Sequence, residues 1–483
     1  MFSRKKLAVA IALGAAVTGT VLATGSADAH LFKSPVLDRA ADGPVDAYGG
    51  AARLNGDQTN TIAKAIQNGR AKNVILLIGD GMGDSEITVA RNYLEGAGGA
   101  FAGIDALPLT GQMTHYSVNR TTGKPDYTPD SAATGTAWST GTKTYDNAVS
   151  VDRNGHPKKT LLEIAKGRGM ATGDITTSEI QDATPAVQVS HISLRSCYGP
   201  KATTASCPEA ALQNGGLGSI SEQLLNTRPD VTMGGGSATF TANTAADLAQ
   251  AGPWAGKTLQ EQAIARGYHW ITAKSDLAGV TRADQSKPLL ALFSPSNMPV
   301  KLNGPAATTG GANLPAASCT ENPDFANVPT LKDMTRKSID LLSKNKAGQK
   351  KGFFLQVESA SIDKQDHSAN ACGQIGETAQ LDDAVKAALD FARKDGNTLV
   401  IVTADHAHTS QIVDGNTPGL TVKLATQEGS EMIVAYGTAA AGGSQQHTGA
   451  QLRVAGFGPG AANVVGLIDQ TDLFFIINRA LNH

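Results

Sequence analysis

The clearest hydrophobic pattern in the chain is a set of short apolar runs that end abruptly in acidic or imidazole side chains. In NTLVIVTADHAHTS, the Leu399–Val402 run opens into Asp405, His406 and His408. Asn73-Val-Ile-Leu-Leu-Ile78 runs into Gly79-Asp80-Gly81, whose glycines permit a tight turn beside Asp80. Lys351–Val357 (KGFFLQV) stops at Glu358 and continues into Ser361-Ile-Asp363-Lys-Gln-Asp-His367. Ala171–Thr176, although not continuously apolar, is a further strand candidate and leads to Gln181-Asp182-Ala183-Thr184-Pro185. Runs this short and this continuously apolar predict strands buried on both faces, as in a parallel sheet. Ligand sites of open α/β sheets gather at the carboxyl ends of such strands.

Polar periodicity supplies the helices. Gln380–Lys394 carries Leu381, Val385 and Leu389 on one face and meets a stop at Gly396. Leu161–Lys166 reads as a shorter helix. Asp363 and His367, four apart, share a face if a helix begins after the Glu358 strand. In Thr128-Pro-Asp-Ser-Ala-Ala-Thr-Gly135, Asp130 as N-cap places Ser131 in the first helical turn, where unpaired N–H groups favour an anion. Each feature alone also has a plain structural reading, as a turn, a capped helix or a surface ion pair. Their repetition at successive strand ends points to one site.

The first 29 residues have the layout of an export signal. Arg4, Lys5 and Lys6 precede an apolar stretch from Leu7 to about Ala23, and Ala27-Asp28-Ala29 fits the cleavage pattern. No later stretch is long and apolar enough to span a bilayer. The formal charge is −2, and removing those three cations together with Asp28 takes it to −4. Without a basic run or patch, nucleic acid is not expected as a partner. Residues 30–60 are polar and Gly-rich and read as an extended arm. Residues 61–483 read as a single α/β domain, with a loop-rich insertion near 295–327. Cys197, Cys207, Cys319 and Cys372 allow three pairings, of which Cys197–Cys207 with Cys319–Cys372 is the most economical. Oxidised bridges fit an exported protein.

The mixed Asp and His set suits zinc, whereas Asp80, Thr184 and Glu358 offer only oxygen and suit magnesium. No histidine base lies near Ser131 in sequence, so a nucleophilic Ser131 would be activated by metal. The segments GDGMGDSE, TPDSAATGTAWSTG, QDATPA, RSCYGP, FFLQVESASIDKQDH, TLVIVTADHAH, QHTG and AANVVGLIDQTDLF occur in order along the chain. In these segments the chain resembles the bacterial periplasmic alkaline phosphatases. The resemblance implies a large, mostly parallel central sheet flanked by helices. It also implies an exported homodimer that hydrolyses phosphate monoesters of broad specificity and releases phosphate through a phosphoserine.

The resemblance assigns roles residue by residue. Ser131 becomes the nucleophile and Arg195 the phosphate clamp. Asp363, His367 and His447 become ligands of one Zn2+, and Asp80, Asp405 and His406 those of the second. Asp80, Thr184 and Glu358 become the ligands of one Mg2+ per subunit. Asp182 and Lys364 stand beside the magnesium and phosphate, and His408 steadies a zinc-bound aspartate. The two cysteine pairs match the family's bridges. Ser359 stands where the family has glycine, and Thr134-Gly135 where it has Ser-Ala. A sulfatase would need a Cys/Ser-x-Pro-x-Arg setting that Ser131 lacks. A phosphodiesterase would need space where Arg195 should lie, and a phosphate or metal carrier would need no nucleophile.

Overall fold

A computed structural model describes residues 35–54, 56–415 and 417–482. The leader expected over residues 1–29 lies outside them. Ten strands build the central sheet: β1 (Asn73–Gly79), β2 (Leu109–Thr114), β3 (Ala171–Glu179), β4 (Val231–Gly235), β5 (His269–Ile271), β6 (Leu289–Leu292), β7 (Phe353–Ser359), β8 (Thr398–Ala404), β9 (Leu452–Phe457) and β10 (Gly466–Asp469). Their spatial order is β10-β2-β9-β8-β1-β7-β3-β4-β6-β5. Only β9 runs against the others. The fold is therefore α/β with a large, mostly parallel sheet.

Every residue of β1, β7 and β8 is buried, which is why these strands read as unbroken apolar runs rather than alternating ones. β7 starts at Phe353, because Lys351 closes the preceding helix Lys346–Lys351. It continues through Glu358 and Ser359, so Glu358 lies inside the sheet rather than beyond it. Register then fixes the site. Ile78 pairs with Glu358, and Gly79 pairs with Ser359 on one side and Ala404 on the other. Asp80 and Asp405 therefore leave adjacent strands at the same level.

Helices cover the sheet. Those that matter for the site are α1 (Asp84–Glu95), α2 (Ser131–Thr140), α3 (Ala183–Val189), α4 (Leu331–Lys344), α5 (Ser361–His367), α6 (Ala371–Asp395) and α7 (Gln470–Ala480). All ten residues of α2 are buried, and it packs between α3 and α7. Such a helix can hold only small residues on its crowded faces: a Cβ on Gly135 would sit 2.9 Å from a Val187 methyl. α6 begins nine residues before its amphipathic pattern does. Its first turns are buried nearly all round, which hides a helical period.

The described part of the N-terminal arm, residues 35–54, turns back onto the body. Leu37 is buried and its N–H donates to Ala106 O, while Arg53 donates to the carbonyls of Arg39, Ala97 and Gly99. The 295–327 excursion is likewise fastened. Thr308–Thr309 joins a four-stranded sheet with Leu420–Ala425, Glu431–Tyr436 and Gln411–Val413. The bridges are Cys197–Cys207 and Cys319–Cys372, and the second ties the excursion to the start of α6. Closing 53 residues of chain contributes about 4 kcal/mol on the chain-entropy model. Replacing both Cys319 and Cys372 by serine should lower unfolding free energy by about that much in a guanidinium titration. An unchanged midpoint would show that the staple carries no stability.

Candidate active site

The site lies where β1, β7 and β8 end. β1 delivers Asp80 through a turn that needs glycine at its next position. Gly81 has φ +70°, a Cβ there would lie 3.0 Å from Asp363, and its N–H donates to Asp405 Oδ1 at 2.9 Å. β8 delivers Asp405 and His406, and α5 brings Asp363 and His367 round on one face. His447 arrives on the loop before β9, its Nδ1 2.9 Å from Pro129 O. Asp130 caps α2, accepting from Ala133 N at 3.0 Å, and so presents Ser131 at the first position of the helix.

Two clusters result. Around Asp363 Oδ1 stand Nε2 of His367, His408 and His447, each at 3.3 Å, with the His367 and His447 nitrogens 3.2 Å apart. Around His406 Nε2 stand Ser131 Oγ at 3.2 Å, Asp405 Oδ2 at 3.2 Å and Asp80 Oδ1 at 3.4 Å. Asp80, Asp363 and His406 also converge as one set, which makes Asp363 common to both clusters.

This second cluster invites comparison with a Ser–His–Asp relay, and its geometry rules that out. A relay needs serine on one ring nitrogen and the carboxylate on the other. Here Ser131, Asp405 and Asp80 all face the same nitrogen, while Nδ1 faces Ala407 O at 3.3 Å. Burial, then His447, holds the His406 imidazole well below its ordinary pKa, which keeps the ring neutral.

Unpaired acceptors complete the picture. Asp363 Oδ1, Asp405 Oδ2, Thr184 Oγ1 and both nitrogens of His408 are buried without an aligned hydrogen-bond partner. Imidazole nitrogens and carboxylate oxygens converging at 3.2–3.4 Å fit the ligand set of a cation. The donor chemistry therefore fits zinc at both clusters. Asp80, Thr184 and Glu358 offer oxygen only, which fits magnesium.

Electrostatics agree. Burial pushes Glu358 up to about 7 and Asp405 up to about 6. Burial followed by Asp405 and Asp363 pushes Asp80 well above the usual carboxylate range. Asp363 goes the other way, because His408, His447 and His367 together outweigh its burial.

A cationic arm flanks the clusters. Arg195 donates from Nη1 to Asp130 Oδ2 at 3.1 Å and from Nη2 to Asp182 Oδ1 at 2.9 Å. Lys364 Nζ donates to Asp182 Oδ2 at 2.9 Å. Burial opposes ionisation of Asp182, but Lys364 and Arg195 outweigh it and hold the carboxyl below its usual range.

Several participants carried no sequence signal. Asp130 was legible as a helix cap, yet nothing in its spacing tied it to Arg195. Tyr198 donates to Asp182 Oδ1 at 2.9 Å. Thr176 donates to Glu358 from the neighbouring strand, a contact legible only once β3 and β7 are known to pair. Gln356 joins Trp138 Nε1, Gln188 Nε2 and the Thr184 carbonyl within the core.

The carboxyls predict a pH effect. Raised folded-state values mean that the contribution of Asp405 and Glu358 to the stability of metal-free protein is full below about pH 4 and is lost as pH rises through about 6 and 7, with Asp80 acting in the same direction. His406 and His408, held neutral, act in the opposite sense and soften that slope. Metals need ionised carboxylates and bind more tightly over the same window. The Tm gap between zinc- and magnesium-loaded and chelated protein should therefore widen from pH 5 to pH 8. A gap that narrows would contradict the assignment of these groups.

Comparison with known proteins agrees with this geometry. The model of the family described as alkaline phosphatase matches residues 71–442. Over 466 residues the chain is 59% identical to alkaline phosphatase from Escherichia coli strain K12, covering 95% of this chain and 97% of that one. It is 57% identical over 482 residues to alkaline phosphatase from Escherichia fergusonii, covering 99% of each. Among solved structures, alkaline phosphatase from the Antarctic bacterium TAB5 superposes with a TM-score of 0.63 at 24% identity, covering 86% of this chain and 99% of that one, and bears on the fold alone. A chain matched over this length, with buried aspartates and histidines converging beside a helix-capped serine, belongs to the alkaline phosphatase family.

Proposed function

We propose that the protein hydrolyses phosphate monoesters of broad specificity in a metal-dependent reaction, with Ser131 as nucleophile. The observation that carries this reading is Ser131 at the start of a buried helix, its Oγ 3.2 Å from Nε2 of His406 and 3.4 Å from Asp80 Oδ1. Asp363, His367 and His447 would hold one zinc ion, and Asp80, Asp405 and His406 the second. Asp80, Thr184 and Glu358 would hold magnesium. When bound, these ions supply concentrated positive charge that stabilises oxygen anions around the reacting phosphorus.

The chain's own residues perform the rest. Ser131 gives up its hydroxyl proton to solvent and Oγ bonds to phosphorus as the ester P–O bond breaks, and the alkoxide that leaves with that electron pair takes a proton from water to become the alcohol. The α2 N-terminus faces the incoming anion with unpaired N–H groups. Arg195 meets two non-bridging oxygens with its planar fork, a geometry lysine lacks. Asp130 and Asp182 each occupy one of its terminal nitrogens and so fix the fork's rotation. Lys364 adds charge beside Asp182, and His408 steadies Asp363. Water then attacks the same phosphorus, the P–Oγ bond breaks, and inorganic phosphate leaves with Ser131 restored.

The same reading takes the protein as exported, periplasmic or secreted, after loss of residues 1–29, with residues 61–483 as one catalytic domain. Two disulfides support that compartment. Among the described residues no helix is long and apolar enough to cross a membrane. The reading includes a homodimer, supported by the exposed Val465, Leu467 and Phe475 on and around the outermost strand β10 and on α7.

Chelation should abolish release of a chromogenic alcohol from its phosphate ester, and zinc with magnesium should restore it. Ser131→Ala should retain its metals by elemental analysis yet lose about 100-fold or more in kcat. Two sequential inversions predict net retention at a chiral phosphate, with phosphate trapped on Ser131 at mildly acidic pH. Inversion with unlabelled Ser131 would make the serine a helix cap and the reaction a direct hydrolysis.

A further inference from the structure

Among the described residues few non-glycines have positive φ, and two of them fall in one short segment beside the site: Asn147 (φ +73°) and Ser150 (φ +48°). Residues other than glycine are held in this region only where the surroundings enforce it. The segment is a strap joined to both halves of the phosphate grip. At one end the Asn147 N–H donates to Asp130 Oδ1 at 2.9 Å, so it binds the carboxylate that caps the Ser131 helix and pairs with Arg195. The Asn147 carbonyl accepts from Arg195 N at 2.8 Å. Two residues on, Val149 and Ile192 exchange both backbone hydrogen bonds at 2.9 Å, which lays the strap alongside the segment that carries Arg195. At the other end Ser150 N donates to Thr136 Oγ1 at 2.8 Å, back onto α2.

We propose that Asn147 is a positioning residue for the Arg195 clamp, an inference that rests on the proposed phosphate-binding role of Arg195. Its left-handed conformation turns the N–H toward Asp130 and the carbonyl toward Arg195 N at one residue. The helix that presents the nucleophile and the backbone that carries the guanidinium are thereby held in a single frame. Asn147 is exposed, and the hydrogen bonds that tie it to Asp130 and Arg195 come from its backbone, so its contribution runs through backbone conformation. Asparagine and glycine accept that conformation, and a β-branched residue does not.

The test measures binding of inorganic phosphate calorimetrically to zinc- and magnesium-loaded protein. Asn147→Val should weaken binding at least five-fold, Asn147→Ala by a smaller factor, and Asn147→Gly by less than two-fold. In an Arg195→Ala background the same Val and Ala substitutions should have no further effect, because the clamp they position is gone. Equal phosphate affinity of native, Ala and Val proteins would overturn the proposal. So would a weakening of the same size in the Arg195→Ala background, which would mark a general packing role. If the Val variant does not fold, the comparison of Ala with Gly decides. Native protein that bound no phosphate would instead overturn the reading of Arg195 on which the inference rests.

Discussion

Everything at this site depends on the registered pairing of β7, β1 and β8. Three buried parallel strands end at one level, so the side chains just beyond their last hydrogen bonds meet whether or not their charges are compatible. Asp80 and Asp405 follow paired residues, Glu358 lies within the strand next door, and each is buried. In water such carboxylates would avoid one another. The hydrophobic sheet imposes their burial and proximity, and burial first, with repulsion from Asp405 and Asp363 added at Asp80, raises the proton affinities of Asp80, Asp405 and Glu358. A scaffold that stores unfavourable electrostatics in this way is completed by cations.

Balance within the site comes from placing imidazoles against only some of the acids. Asp363 is surrounded by three histidine nitrogens at 3.3 Å and stays ionised. Asp182 is held ionised by Lys364 and Arg195. Ser131 stands between the acid-rich and base-rich regions, at the positive end of a helix that contributes no charged side chain of its own. The same carboxylate of Asp130 that caps this helix also orients Arg195. Helix start and arginine are thus coupled through one side chain.

The fold was legible where local chemistry and burial coincide. Continuous apolar runs marked β1, β7 and β8 to within two residues, and Asp130 marked the start of α2. Legibility failed where burial erases period, as in the first turns of α6, and where a contact depends on strand order. Thr176 meets Glu358 because β3 lies beside β7, and no spacing in the chain encodes that adjacency. Arg195 illustrates the same limit. A lone arginine near a cysteine is unremarkable in sequence, and its two carboxylate partners lie 65 and 13 residues away. Family motifs filled that gap because they carry tertiary adjacency that periodicity cannot.

The reversed direction of β9 has a consequence for how the site comes into being. A parallel strand brings its carboxyl end to the ligand edge, whereas β9, running the other way, brings its beginning there. His447 therefore reaches the cluster from a segment that enters the sheet, and it does so more than 300 residues after Asp80 has been synthesised. Contacts this distant in sequence form late. A chain emerging from its ribosome carries Asp80, Ser131 and Arg195 long before the last imidazole exists. The cluster around Asp363 is therefore incomplete until the last part of the chain has joined the sheet.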